Sequence, residues 1–532
     1  MKMNPLNLID FYKSGHVFQY PEGTQKVYSN FTPRSDRLAP VLRQGPGAFD
    51  GRVLFFGLQG FIKEFLIELF DQQFFQLPKD KAVRRYQRRM DNALGPGAVP
   101  VHHIEALHEL GYLPVRIKAL PEGSLVNIKV PVFTITETVP AFFWLVNYLE
   151  TMLSNGVWKP MTVATIARQY RRLLEDFCEQ TGGDASFIDW QAHDFSARGM
   201  ANPEDASRCG AGHLVSFCGT DTVSAIDYAE DFYGADSDKE LLGGSVPATE
   251  HSVMSMGGQL DEVSTFRRLI TEVYPSGIVS IVSDTWDYWQ VITHHAATLK
   301  QEILARQPNA LGQAKVVFRP DSGDPVLILS GYLDTELAVD GQDQLLRDEQ
   351  GRYTVLRNGH LISEAERRGS VQCLWDIFGG SETAKGYKVL HERVGLIYGD
   401  SITLERAQQI LSRLQAKGFA STNVVLGVGS YSYQFLTRDS FGMAMKATAG
   451  IVGGELRELS KDPKTDSGVK KSAVGLLRVE KIDGDYVLFD RQTPEQEAQG
   501  LLELVFENGK LLREQSFADI RARAKAGAGA AA

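Results

Sequence analysis

VGLIYGDSITLERAQQILSRLQAKGFASTNVVLGVGS, residues 394–430, switches between two structural periods within 37 positions. VGLIYGD is a short apolar run that ends in Gly399-Asp400. LERAQQILSRLQAKG (404–418) then places Leu404, Ala407, Leu411 and Leu414 on one helical face, with Gly418 as the C-terminal stop. NVVLGVGS (423–430) returns to a strand pattern and closes on Gly427-Val428-Gly429. Strand, helix, strand is the unit of a parallel sheet, and near-continuous apolar strands require that sheet to be covered on both faces.

The same rhythm extends upstream. GHLVSFCGTD (212–221) ends in Asp221, GIVSIVSD (277–284) in Asp284, and AKVVFRPDSGD (314–324) passes through Arg319 and Asp321. Four of the five strands run into an aspartate, and the fifth into a glycine-rich turn. In a closed α/β barrel the loops after the strands share one rim, which hosts the chemistry. One such aspartate reads as a helix cap. Four in series, together with Arg319, read as a site for a charged, phosphorylated ligand. SVPATEHSVMSMGG (245–258) adds His251, an imidazole that neither a helical nor a strand period asks for.

Outside this unit the pattern differs. VLFFGLQGFIKEFLIELF (53–70) has the spacing of an amphipathic core helix, VRRYQRR (83–89) that of a solvated helix face, and MTVATIARQYRRLLEDFCEQTG (161–182) that of a helix ended by glycine. Residues 332–360 are polar and turn-rich, an excursion from the barrel. GLLRVEKIDGDYVLFDRQ (475–492) reads as a hairpin around Asp483-Gly484. The expected division is therefore residues 1–150 and 445–520 as the two parts of an α+β lobe, 151–444 as the barrel, and 521–532 as a disordered tail.

At 532 residues the chain is too long for one core. A net charge of -10 argues against a general nucleic-acid binder, although a local basic pocket remains compatible with it. The four cysteines (Cys178, Cys209, Cys218, Cys373) show no C-x-x-C spacing, which points away from zinc and from a redox dithiol and towards a reducing compartment. The N-terminal stretch is interrupted by Asp10 and Lys13, unlike a signal peptide, and the apolar run 139–149 is too short to span a membrane. A cytoplasmic protein with no membrane or nucleic-acid partner is expected.

Several stretches, in order, carry a family resemblance: DFYKSGHVFQYPEGTQKVYSNFTPR (10–34), HDFSARG (193–199), GTDTVSA (219–225), SVPATEHS (245–252), SIVSDTWD (280–287), FRPDSGDP (318–325), YGDSIT (398–403), LGVGSY (426–431), LTRDSFGMAMKAT (436–448) and KDPKTDSG (461–468). With these the chain resembles the nicotinate/nicotinamide phosphoribosyltransferase family, the type II phosphoribosyltransferases, and within it the nicotinamide-specific branch. The resemblance implies an irregular TIM-like α/β barrel with a second α+β lobe. It also implies a homodimer with sites at the interface, and NAD salvage by conversion of nicotinamide and phosphoribosyl pyrophosphate to nicotinamide mononucleotide and pyrophosphate.

That reaction sets three tasks. The pyridine must be held flat; by resemblance Phe195 stacks on it, with Tyr12 of a second subunit on the other face, and the negative face of an aromatic ring suits a pyridinium product. The amide must be told from an acid. An ionised Asp221 accepts from the amide N–H2 and repels a carboxylate, with Arg319 against the ring or its amide. The phosphates need cations and backbone donors. Arg198, Arg438 and Lys446 match family positions that contact phosphate, and Gly399, Asp400, Gly429 and Ser430 match the loops around the ribose and its 5′-phosphate. Asp284 and Asp321 are candidates to hold Mg²⁺ through water.

By the same resemblance His251 is phosphorylated by ATP and assists the forward reaction. A neutral imidazole is nucleophilic, which a pKa of about 6.5 permits at cell pH. Glu250 stands beside it in sequence as a candidate influence on its tautomer, and His193 as a candidate pocket residue. Two other readings stand against this one: a nicotinate phosphoribosyltransferase, which Asp221 opposes, and a non-catalytic binding or signalling relative, which the joint presence of His251, Asp284, Asp321 and Arg319 opposes.

Overall fold

The computed structural model describes residues 3–399, 401–460 and 473–529. Its centre is a five-stranded sheet in the order Ala192–Asp194, Val424–Val428, Val394–Tyr398, Ala314–Arg319, Gly277–Val282. Every neighbouring pair is parallel; Leu396 lies opposite Val424, Val394 opposite Val316, and Gly277 opposite Ala314. The helix Leu404–Ala416 is the crossover read from the sequence, with Leu404, Ala407, Leu411 and Leu414 buried and Gly418 left-handed behind it at φ 77. Parallel strands need such long return connections, so the helices cover the sheet.

The sheet curls, and single parallel bridges carry it round irregularly. Thr220 bridges Asp194, Gly219 bridges Gly244, and Ala248 bridges Ser280 of the first-named sheet's far edge. Two irregular segments, 218–221 and 244–249, thus complete the ring. The stretch 212–221 differs from the full strand expected. Gly212–Leu214 belong to the helix Pro203–Leu214. Its glycines explain this: a Cβ on Gly212 would stand 2.9 Å from the Pro160 carbonyl oxygen, so glycine lets the helix pack closely on the long helix Glu150–Thr181.

That long helix begins where the sequence pattern changes and ends at Gly182, φ 69. Beyond it lies a seven-stranded antiparallel sheet in the order Glu455–Glu458, Ala444–Val452, Thr24–Thr32, Phe133–Glu137, Val115–Ala119, Glu503–Glu507, Lys510–Leu511. Both chain ends contribute to it. The hairpin Leu476–Ile482 and Asp485–Gln492 turns at Asp483 and Gly484, both at positive φ, as a two-residue hairpin demands. Residues 332–362 form a small excursion with its own core of Leu337, Tyr353, Val355 and Ile362.

Two expectations need correction. The run from 53 is not helical at its start: Arg52–Leu54 is a strand paired with Leu125–Asn127, and the helix begins at Leu58 after Gly57, φ 106. Helical spacing conceals this because Val53, Leu54, Phe55 and Phe56 are all buried whichever period they follow. Of the tail expected to be disordered over 521–532, residues 521–529 continue the helix Phe517–Gly529, and 530–532 lie outside the described residues. Phe517 and Ile520 are fully buried against Leu54, Phe56 and Tyr233, so the helix owes its order to tertiary packing that its Ala- and Gly-rich end does not advertise. Among the described residues no helix is long and apolar enough to cross a membrane.

Candidate active site at the barrel rim

The strand ends deliver their side chains to one cleft of about 860 Å³. Phe195, Arg198, Asp221, Arg319, Asp321, Gly399 and Ser430 line it, joined by Thr222, Ala248, Thr249, Glu250 and Val253. Seven residues singled out in the sequence, spread over more than 200 positions, therefore meet at one rim. Gly429 precedes Ser430 at the end of its strand. Asp400 lies outside the described residues, as do the KDPKTDSG stretch and its neighbours.

One wall is aromatic and cationic. The Arg319 guanidinium stands 5.6 Å from the centre of the Phe195 ring, a cation–π distance. Arg319 Nε is buried and makes no hydrogen bond among the described residues. The His193 ring packs against the same phenylalanine, with ring centres 4.6 Å apart and the planes tilted by 36°. Phe195 is fixed through its backbone, which donates to the Val428 carbonyl at 2.9 Å, and through the turn behind it, where the buried Asp194 carboxylate accepts from Ser196 N and Thr222 Oγ1.

Asp221 lines the same cleft and is joined to the aromatic wall through His193. Its backbone N–H donates to the Asp194 carbonyl at 2.9 Å. Its carboxylate Oδ1 meets His193 Nε2 at 2.9 Å and accepts from Ser245 Oγ at 2.5 Å. Burial pushes this carboxyl up, but the hydrogen bonds from His193 and Ser245 and the charge of Arg319 outweigh it, so its pKa falls below the ordinary carboxylate value. An anionic acceptor beside a flat cationic and aromatic wall suits a planar ring carrying an N–H donor.

The third wall carries the acids. The Asp284 side chain is 3% exposed; its Oδ1 is 3.2 Å from His251 Nε2, and its Oδ2 accepts from Asp321 N at 2.9 Å and Ser322 Oγ at 2.6 Å. His251, half-exposed at the start of a short helix, thus stands next to the cleft through Asp284 and the Asp321 backbone. Glu250, also on the cleft wall, accepts from Ser252 Oγ. Backbone glycines crowd the same region. A Cβ on Gly399 would stand 2.5 Å from Asp321 Oδ1 and 3.1 Å from Arg319 Nε, and one on Gly199 would strike Ser430 Oγ.

Asp284 and Asp321 fit a hydrated Mg²⁺ better than a directly bound one. Both Asp284 oxygens already hold partners, and among the described residues no cluster of three or more His, Cys, Asp or Glu side chains is arranged to grip a metal. Tyr12, Arg438 and Lys446 do not line this cleft within one chain. Tyr12 is 63% exposed on a turn of the other lobe, Arg438 is half-exposed beside Asp439, and Lys446 lies on the strand Ala444–Val452. Sequence reasoning gives Ser245 no role of its own, although it opens the stretch SVPATEHS (245–252) that carries part of the family resemblance.

The architecture is that of the pyridine phosphoribosyltransferases. Solved structures that share it include a nicotinate-nucleotide pyrophosphorylase from Pyrococcus furiosus (TM-score 0.56, 13% identity, covering 99% of this chain and 96% of that one) and human nicotinic acid phosphoribosyltransferase (TM-score 0.53, 16% identity, covering 98% and 93%). At such identities the likeness is one of fold. Residues 190–510 match the nicotinate phosphoribosyltransferase (NAPRTase) family, and the chain belongs to that family. Among curated relatives, the nicotinamide phosphoribosyltransferase of Acinetobacter baylyi is 57% identical over 98% of this chain and 97% of its own length. That of Xanthomonas campestris pv. campestris is 33% identical over 97% of each.

Proposed function

We propose that the protein transfers the phosphoribosyl group of phosphoribosyl pyrophosphate to nicotinamide, giving nicotinamide mononucleotide and pyrophosphate for NAD salvage. The observation that carries this is the Asp221 carboxylate lining the cleft, held by His193 and Ser245 with its pKa lowered. It accepts a hydrogen bond from the carboxamide and repels the carboxylate of nicotinate.

The pyridine lies against Phe195 and Arg319, which aim its nitrogen at the ribose C1. The C1–O bond breaks with its electron pair leaving on pyrophosphate, and the nitrogen lone pair forms the C1–N bond. Positive charge builds on the sugar and negative charge on the leaving group. Arg198 at the cleft edge meets phosphate, as do the backbone of Gly399, Gly429 and Ser430. Asp284 and Asp321 are the residues that would hold Mg²⁺, which would supply positive charge to stabilise the departing pyrophosphate.

ATP acts as phosphoryl donor to His251: an N–P bond to the γ-phosphorus forms as the P–O bond to the β-phosphate breaks and ADP leaves, and later attack by water returns the imidazole and releases phosphate. With Nε2 turned to Asp284, the remaining ring nitrogen, Nδ1, is left to attack. Tyr12, Arg438 and Lys446 serve the cleft of a second copy, so the working unit is a homodimer with sites at the interface. The rigid seat of Tyr12 supports this: the neighbouring Lys13 is buried and paired with Glu150 at 2.6 Å, leaving the Tyr12 ring projecting into solvent. Four free cysteines support a cytoplasmic location.

The test is pyrophosphate release from phosphoribosyl pyrophosphate with either base. Turnover with nicotinamide at a kcat/KM well above that with nicotinate is expected; equal use or a preference for nicotinate overturns the reading.

A further inference from the structure

We propose that His193 is a specificity-determining positioning residue, which pins Asp221 so that one chosen oxygen of its carboxylate meets the nicotinamide amide. The inference rests on the reading of Asp221 given above and assigns the device that makes that carboxylate selective.

A carboxylate on a rim loop rotates about χ2 and exchanges its two oxygens unless something holds it. Here the holder is His193 on the strand Ala192–Asp194, whose backbone is held in register opposite Gly427. His193 is buried, and its Nε2 meets Asp221 Oδ1 at 2.9 Å. Ser245 Oγ reaches the same oxygen from the segment that closes the ring. Among the described residues both donors to this carboxylate meet Oδ1, so Oδ2 is the oxygen left to accept from a ligand. The His193 ring is itself confined. One face packs towards Phe195 at 4.6 Å, and its Nδ1 lies where a Cβ on Gly219 would come within 2.9 Å. Glycine at 219 therefore makes room for the imidazole, and the imidazole couples the stacking wall to the amide acceptor. One side chain sets both the plane of the pyridine, through Phe195, and the rotamer of the group that reads its substituent.

A purely structural histidine would act through stability alone. A positioning one acts through selectivity and its pH dependence. The groups that bear on Asp221 are His193 and Arg319, both lowering its pKa; Asp321 and Glu250 share the cleft wall, and Asp194 and His213 lie behind His193. Removing the His193 donor leaves burial less opposed, so the Asp221 carboxyl rises towards neutrality and its repulsion of nicotinate weakens first at low pH.

The experiment uses the full-length enzyme and steady-state kcat/KM for nicotinamide and for nicotinate between pH 5.5 and about 8. His193→Phe keeps a ring against Phe195 and deletes the donor. His193→Asn is polar but too short to place its amide where Nε2 stands. His193→Gln restores a donor at that reach. The expectation is that His193→Phe and His193→Asn lose about tenfold or more of the nicotinamide-over-nicotinate preference, chiefly through KM for nicotinamide, with the loss deepening as pH falls. His193→Gln recovers most of it. Asp221→Asn is measured alongside. If Asp221→Asn abolishes the preference while the folded His193 variants keep the wild-type ratio at every pH, the role of His193 is refuted and the reading of Asp221 stands. If Asp221→Asn itself keeps the wild-type ratio, the underlying reading fails. Loss of preference in His193→Gln equal to that in His193→Phe also overturns the inference.

Discussion

His251 Nε2 stands 3.2 Å from Asp284 Oδ1, so a half-exposed imidazole is aimed by a carboxylate that is itself almost wholly buried. The second oxygen of that carboxylate accepts from the Asp321 backbone and Ser322, which keeps the pair in register with the cleft. A histidine that serves as phosphoryl acceptor predicts a separable loss. His251→Ala abolishes ATP hydrolysis and the stimulation of turnover by ATP while leaving basal pyrophosphate release. Retention of both ATP effects in a folded His251→Ala protein counts against the role.

Gly399 is constrained by contact, since its φ is not in the left-handed region. A Cβ there intrudes on Asp321 Oδ1 at 2.5 Å and on Arg319 Nε at 3.1 Å. Gly399→Ala displaces one or both groups that line the cleft. Its expected effect is a fall of about tenfold to a hundredfold in kcat/KM, consistent with the sensitivity of catalysis to small misplacements. The melting temperature changes little. Kinetics and a thermal melt on one preparation check both halves.

Glu122 provides a pH test of stability away from the cleft. It caps the start of the helix at Leu58, accepting from Gly57 N at 2.7 Å and Gln59 N at 2.5 Å, and from Tyr233 OH. Burial pushes its carboxyl up to about 7 against those hydrogen bonds. Between the unfolded value near 4.5 and about 7 the folded state holds a proton that the unfolded state has released. Stability from this group is therefore full below that window and is lost as pH rises through it, by an amount on the order of 3 kcal/mol. The wild-type melting temperature, referred to that of Glu122→Gln, should fall between pH 5 and about 8. A difference that is flat with pH contradicts this account.

The C-terminal helix supports the rim. Arg521 donates to the carbonyls of Leu214 at 2.6 Å and Phe217 at 3.3 Å, and also to that of Leu242, bracketing the segment that leads into Asp221. Phe517 and Ile520 are fully buried. Deleting residues 517–529 should cost roughly 3–5 kcal/mol or more in stability. It should raise KM for nicotinamide more than that for phosphoribosyl pyrophosphate, because the loosened segment carries the amide acceptor. Urea melts and substrate titrations of the truncated chain measure the two effects.

Residues whose period matched their environment were legible in the sequence. The crossover Leu404–Ala416 and the strands around it could be placed because an amphipathic stripe and fully apolar strands each have one packing solution. The convergence of Asp221, Arg319, Asp321 and Gly399 followed from the barrel rule that strand ends share a rim. Elements fixed by tertiary contact were not legible. Gly212–Leu214 look like a strand because small and apolar residues serve a closely packed helix equally well. The Ala/Gly tail has no period of its own, yet Phe517 and Ile520 find a core made by distant residues. The pairing of His193 with Asp221 joins two neighbouring motifs through space, and no spacing encodes a side-chain direction across two segments.

The central claim is that one rim cleft reads a planar amide-bearing ring beside a phosphoribosyl group, and the measurement that tests it most directly is the crystal structure of the protein with nicotinamide mononucleotide bound. The account predicts the pyridine against Phe195 and Arg319, its amide donating to Asp221 Oδ2, the 5′-phosphate at Gly429 and Ser430, and Tyr12 of a second copy over the ring. A nucleotide seated elsewhere, or an amide turned away from Asp221, would contradict it.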